Sequence, residues 1–354
     1  MNFTDNTKKF LINHARRFPS LEIRDIFKFL HQSSFGCEHL VSSCDFAIGY
    51  IKKEAESMTH YERTVIEPLD GDYSRVNLSV IRDGISPETL GRLFFLSARK
   101  EEHGAAALSA KLSVAEDLVL NGELPFSYDE FKAAKDEWER IGYPAIHHSE
   151  AFRSNYRPAY RVISNEFVQY LALFSAIDKK LANGDVRLAI EGGSASGKTT
   201  LASVLSSVYG CTVFHMDDFF LRPEQRTAER FAEPGGNVDR ERFIDEVLDP
   251  MSDGMPVSYR KFDCATFTLT PPILIEPTPL TVIEGAYSMH PALSDYYDLS
   301  VFLDITPELQ RERIQKRNSP KMAERFFNEW IPLERAYFEK MNVKERCDVG
   351  INAG

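Results

Sequence analysis

Cysteine is scarce in this chain, with five in 354 residues at Cys37, Cys44, Cys211, Cys264 and Cys347, and no C-x-x-C pair. This argues against a disulfide framework or a common zinc site and fits reduced thiols in a cytoplasmic setting. Positive charge is also in deficit: 42 basic against 53 acidic side chains give a net charge of −11. That argues against nucleic acid or an anionic membrane as the main partner. The longest apolar run, Leu171 to Ile177, is far too short to span a bilayer. The opening Met1-Asn2-Phe3-Thr4-Asp5 lacks the charged-then-apolar order of a signal peptide. There are no repeats and no low-complexity tracts. No Asn-Lys-x-Asp stretch is present, which speaks against a GTP switch. What remains is a 43% hydrophobic chain long enough for two domains.

The most informative stretch is Gly192-Gly193-Ser194-Ala195-Ser196-Gly197-Lys198-Thr199, which fits G-x-x-x-x-G-K-[ST] without a mismatch. Val186-Arg187-Leu188-Ala189-Ile190 ahead of it reads as a buried parallel strand, and the residues from Thr200 onward open a helix. A triphosphate concentrates negative charge, so it needs many donors converging without side chains in the way. Glycines let backbone N–H groups turn inward, and the helix N-terminus adds its dipole. Lys198 is expected to reach the β- and γ-phosphates of ATP and the Thr199 hydroxyl to meet Mg²⁺, with the loop from Gly192 through Thr200 forming the nucleotide site.

Residues 1–182 read as a mainly helical domain, with Asn183-Gly184-Asp185 as the junction to 183–354. Ile23, Ile26, Phe27 and Leu30 mark one amphipathic helix. Others are expected over 87–100 and 104–120, from a Ser127/Glu130 capping box, and from about Tyr160 to Leu181. Arg75 to Ile81 alternates as a strand would. Two polar clusters stand out: His31 through His39, and His147-His148-Ser149-Glu150 followed by Arg153, Tyr156, Arg157, Tyr160 and Arg161. On a continuous helix the three arginines would share one face and could bind a phosphate or remain a solvated surface.

In residues 183–354, strands are expected at Cys211–Met216, Leu280–Gly285, Leu299–Asp304 and Val349–Ile351, with a β-ribbon joining 257–262 to 266–269. The fold class is α/β, a doubly wound parallel sheet of the P-loop NTPase kind, preceded by the helical domain. Asp217, after the second strand, suits a base that accepts a hydroxyl proton, with Asp218 as the fallback. Glu284 closes the third strand as a Walker B acid on the metal. Arg311, Arg313, Lys316 and Arg317, on a helix after Thr306-Pro307, suggest a lid over transferring phosphate.

The ordered set Gly-Gly-Ser-Ala-Ser-Gly-Lys-Thr-Thr, His-Met-Asp-Asp-Phe-Phe, Asn-Val-Asp, Val-Ile-Glu-Gly and Phe-Leu-Asp before an arginine-rich helix resembles the uridine kinase / phosphoribulokinase family over about residues 185–353. The resemblance implies Asp217 as general base and Asp239 and Tyr259 as acceptor-binding residues, Phe262-Asp263 being a competing alignment for the tyrosine. It implies Arg313 and Arg317 as lid arginines. Two features depart from it: Cys264-Ala265-Thr266 replaces the expected His-x-Arg, and Gln310 takes the first lid-arginine position. The implied activity is ATP-dependent phosphoryl transfer to a hydroxyl of a small acceptor, nucleoside-like by resemblance. Alternatives are a sugar or vitamin acceptor, a nucleotide-dependent regulator whose first half binds a ligand or partner, and a second enzyme in that half. Self-association is left open.

Overall fold

The computed structural model describes residues 3–37, 41, 43–58, 64–99 and 103–353, and the chain divides into two compact units, Met1–Ser175 and Ala176–Gly354. The N-terminal unit contains α1 (Phe3–Arg17), α2 (Ile23–Phe35), α3 (Cys44–Ser57), β1 (Ile66–Pro68), β2 (Tyr73–Asn77), α4 (Pro87–Leu96), α5 (Gly104–Leu120), α6 (Tyr128–Arg140), α7 (Glu150–Tyr156), β3 (Tyr160–Ser164), α8 (Asn165–Val168) and the start of α9 (Leu171–Leu181). Ile26, Phe27 and Leu30 of α2 are buried, as a 3.6-residue period requires.

Three local expectations change. The segment from Tyr160 is a strand before it is a helix, and β3 pairs antiparallel with β2. Tyr-Arg-Val-Ile after Pro158 favours extended backbone, and the order β1-β2-β3 adds a small sheet to the helical unit. The alternation from Arg75 stops at Asn77, whose Oδ1 accepts from Ser79 N at 2.9 Å and opens a 3₁₀ turn over Leu78–Ile81. Ser127 precedes α6 as expected but makes no side-chain cap bond.

The interior of this unit holds charge. Arg75 is fully buried between the Phe29 and Tyr160 rings; its Nε donates to Gln32 Oε1 at 2.8 Å and its Nη1 to Glu67 Oε2 at 3.1 Å. Nearby, the His148 ring bridges Asp25 Oδ1 (2.8 Å, through Nδ1) and the Tyr160 hydroxyl (2.7 Å, through Nε2). Burial would raise the Asp25 carboxyl, but donors from His148, Ser149 and the Glu22 backbone outweigh it and bring the pKa to about 2. Burial drives His148 down to about 4, with Arg75 and Lys28 adding to the push and Asp25 opposing it. The unfolded chain therefore protonates His148 near its ordinary 6.5 while the folded chain resists until about 4. Between these values the unfolded state holds more protons, so stability rises with pH and is lost as pH is lowered. The melting temperature of the N-terminal unit is expected to drop as pH is lowered through this window, and His148→Gln should flatten the drop in thermal melts.

The C-terminal unit is built on β4 (Val186–Gly192), α10 (Lys198–Tyr209), β5 (Thr212–His215), β6 (Val257–Tyr259), β7 (Phe262–Asp263), β8 (Thr268–Leu269), β9 (Ile273–Ile275), β10 (Leu280–Glu284), β11 (Leu299–Asp304) and β12 (Val349–Asn352). Five of these strands form one sheet in the order β12-β11-β4-β10-β5, every pairing parallel. β10 is buried throughout and β4 nearly so, which accounts for their unbroken apolar runs. The chain goes from β4 outward to β5 on one side and later to β11 on the other, so the strand order reverses at the carboxyl end of β4. Ligands of doubly wound sheets collect in the crevice at such a point. Because β10 lies between β4 and β5, Asp217 follows a strand two places from that of the loop. The expected single ribbon is two short ones, β6 with β9 and β7 with β8. Phe214, Phe219, Phe243, Val247, Leu248 and Ile283 share one core cluster, each such side chain contributing about 1.5–3 kcal/mol.

Candidate functional site

The loop after β4 is curled through left-handed backbone: φ is +148° at Gly192 and +99° at Gly197, where glycine has no Cβ to clash, and +63° at Ala195, where a side chain costs about 1 kcal/mol. A Cβ on Gly192 would lie 2.5 Å from the Leu303 carbonyl oxygen. Gly192→Ala is accordingly expected to cost about 2 kcal/mol or more in thermal denaturation, and to weaken nucleotide binding. Gly197 leads directly into α10, whose first residue is Lys198. Lys198 Nζ donates to the Gly192 and Gly193 carbonyls at 2.8 and 3.0 Å. Ser196 Oγ is buried without a protein partner. A glycine-lined cradle at a helix N-terminus, with an unpartnered hydroxyl and a cation on a flexible stem, suits a polyphosphate.

Thr199 Oγ1 donates to Glu284 Oε1 at 3.1 Å, and His215 Nδ1 lies 2.6 Å from the same oxygen. The parallel register that sets Glu284 beside both Ile190 and His215 brings these groups together. The hydrogen bond that His215 donates to Glu284 raises the His215 pKa. A hydroxyl and a carboxylate at this separation are hard oxygen donors that fit Mg²⁺.

Asp217 is the second residue of the 3₁₀ turn Met216–Phe219 after β5 and has no side-chain hydrogen-bond partner among the described residues. Its side chain keeps an open edge to solvent, yet desolvation by surrounding protein pushes its carboxyl above the usual range. Lys198 pulls the other way, and Glu284 and Asp218 add to the rise. Those charges place Asp217 on the loop's rim of the sheet. Asp218 is engaged, accepting from Tyr259 OH at 3.2 Å and pairing with Lys261 at 3.0 Å.

Tyr259 is buried, stacked on Phe219. Asp239 is buried and its Oδ1 caps the following helix at Arg242 N, 3.2 Å away. Its Oδ2 makes no hydrogen bond, lying 3.4 Å from Arg222 Nε and 3.5 Å from Arg242 Nε. Among the lid candidates, Arg313 donates to the carbonyls of Ala195 (3.2 Å) and Ala353 (2.7 Å). Arg317 lies over the Phe326 ring and Arg311 over Phe327.

Sequence reasoning gives no role to three residues of the site and marks a fourth, Gln310, only as a departure. Glu191 is fully buried and accepts from Gly192 N, Tyr287 N, Met289 N and Tyr337 OH at 2.8 to 3.2 Å; burial brings its pKa to about 7. A carboxylate at the end of an apolar strand was the available signal. His215, just before the two aspartates, is tied to Glu284. Glu334 accepts from Ser194 N (2.9 Å) and Ser194 Oγ (2.5 Å), and the Gln310 amide donates to the Ser194 carbonyl at 2.8 Å. No local motif marks Glu334. Gln310, noted only as a missing arginine, holds the loop instead.

In the N-terminal unit, described residues of the 31–39 cluster are spent on packing: His31 rests against Phe35 and Trp138, and Lys111 Nζ donates to the Ser33 carbonyl and hydroxyl at 2.9 and 3.0 Å. Glu38 and His39 lie outside the described residues. The arginine stripe is not helical, since α7 ends at Tyr156 and Arg161 is in β3. No group of three or more metal-binding side chains occurs among the described residues, and no helix there is long and apolar enough to cross a membrane.

Sheet order and loop together define a P-loop nucleotide-binding fold. Residues 188–325 match the family described as Phosphoribulokinase / Uridine kinase family. A uridine kinase of Staphylococcus epidermidis is 24% identical over 182 residues, 47% of this chain and 87% of that protein. One from Chloroflexus aurantiacus is 29% identical over 141 residues, 37% and 66% of the two chains. A solved structure titled as a possible uridine kinase from Bacillus stearothermophilus aligns with TM-score 0.38 and 23% identity, over 51% of this chain and 98% of that one. The family match and the relatives support a phosphotransferase and leave its acceptor open.

Proposed function

We propose that the C-terminal unit transfers the γ-phosphoryl group of ATP to a hydroxyl of a small, nucleoside-like acceptor. The observation that carries this reading is the convergence at one sheet rim of the phosphate cradle, the Thr199–Glu284 pair at 3.1 Å and the unpartnered Asp217 carboxylate. Lys198 leaves the Gly192 and Gly193 carbonyls to meet the β- and γ-phosphates. Asp217 accepts the acceptor's hydroxyl proton as that oxygen bonds to the γ-phosphorus and the bond to the ADP oxygen breaks. Thr199 and Glu284 would hold Mg²⁺, which would neutralise phosphate charge there. Asp239 Oδ2, which makes no hydrogen bond within the protein, receives an acceptor hydroxyl, and Tyr259 fixes Asp218 and shapes the wall beside it. Arg313 stays at the loop, and Arg317 joins it when the phosphates are bound.

The test is transfer of labelled γ-phosphate to a panel of nucleosides, sugars and vitamins by the full chain. A labelled phosphomonoester from at least one acceptor is expected. Release of phosphate independent of every acceptor, or nucleotide binding without transfer, would instead favour a nucleotide-dependent regulator.

A further inference from the structure

The N-terminal unit contains a cavity of about 620 Å³, inside the range of about 300–1,000 Å³ typical of small-molecule sites. It is bounded by α2, α3, the end of α7 and β3. Its lining includes Lys28, Phe46, Tyr50, Arg153, Arg157 and Arg161, so the fold returns to one wall the arginines that no single helix aligns. Arg161 is committed, donating to Glu54 at 2.6 Å and lying over the Tyr50 and Phe94 rings. Arg153 and Arg157 are exposed and have no carboxylate partner among the described residues. Lys28 Nζ donates to the Ile146 carbonyl at 2.9 Å and has no carboxylate partner among the described residues, and burial, with Arg75 and Arg153, lowers its pKa to about 8.

Two more features mark the cavity. Arg157 ends α7 in the left-handed region, φ +44° and ψ +56°, where glycine or asparagine is the ordinary choice. An arginine there is strained by about 1 kcal/mol. Phe46 and Tyr50, one turn apart on α3, are 56% and 58% exposed and stack at 6.2 Å. Large aromatic surface left open beside uncompensated cations is costly for a surface that binds nothing and useful for one that binds a flat anion.

We propose that this cavity binds a small molecule carrying both an anionic group and a planar ring, the anion held by Arg153, Arg157 and Lys28 and the ring laid against Phe46 and Tyr50. The anion is a phosphomonoester or a carboxylate, either of which a guanidinium fork can grip in bidentate fashion. The inference does not depend on the kinase reading.

Calorimetric titration of the full chain with four probes tests it: uridine 5′-monophosphate, orotate, uridine and inorganic phosphate. Saturable binding of one or both anionic ring compounds is expected, tighter than that of uridine or phosphate; which one binds tells phosphomonoester from carboxylate. The double variant Arg153→Ala/Arg157→Ala should weaken it at least tenfold, as expected for loss of charge-assisted hydrogen bonds. Phe46→Ala, at an exposed position, should weaken ring compounds and leave inorganic phosphate unchanged. Binding should persist in Asp239→Ala, which addresses the other unit's acceptor site. Absence of saturable binding by both ring anions, equal affinity for uridine, or affinities unchanged in the cavity variants but lost in Asp239→Ala would overturn the proposal.

Discussion

Asp217→Asn is expected to lower kcat for phosphoryl transfer by about 10²- to 10⁴-fold, the range associated with loss of a general base. The substitution keeps shape and removes the proton acceptor, so nucleotide affinity should change little. Single-turnover transfer with labelled ATP separates the two. Because desolvation raises the Asp217 carboxyl above its ordinary pKa, transfer by the unsubstituted protein should fall as pH drops through that raised value, and the falling limb should vanish in the variant. Asp218→Asn should do less to the chemical step, since that carboxylate is engaged by Tyr259 and Lys261. Full transfer by Asp217→Asn would remove Asp217 from the role.

Lys198→Ala is expected to reduce kcat/KM by about 10²- to 10³-fold, comparable to deleting one preorganised charge-stabilising donor. The side chain has two successive tasks. It donates to the Gly192 and Gly193 carbonyls, and on the proposed reading it leaves them to neutralise phosphate. Its removal should also cost the free protein about 1–3 kcal/mol, because Gly192 and Gly193 are buried and their carbonyls lose this donor. It should abolish most of the melting-temperature gain produced by a non-hydrolysable ATP analogue. A variant that keeps that gain would show that the lysine does not reach the phosphates.

The parts legible in the sequence were those whose signal is local. The loop between Ile190 and Thr200, the apolar strands around it and the acidic residues at their tips lie within short windows and follow from backbone periodicity and charge. The sheet's lateral order is not a local property; nothing near Asp217 tells that β10 intervenes between its strand and the loop's. Tyr160–Ser164 was misjudged because Val162 and Ile163 suit either period, and pairing with Tyr73–Asn77 decided the matter. Glu334 and the cavity around Arg157 were unreadable for the same reason, being assembled from residues far apart along the chain.

The grip of Glu334 on Ser194 spans 140 residues. Contacts of such sequence separation form late, because the intervening chain must first be ordered. A ribosome that has made the loop, α10 and the inner strands has therefore not yet made the clasp that sets the loop at rest. A growing polypeptide stopped short of residue 334 would carry the whole glycine-rich signature and lack its tether, so competence to take up nucleotide should rise once residue 334 has been added and folded back onto the loop.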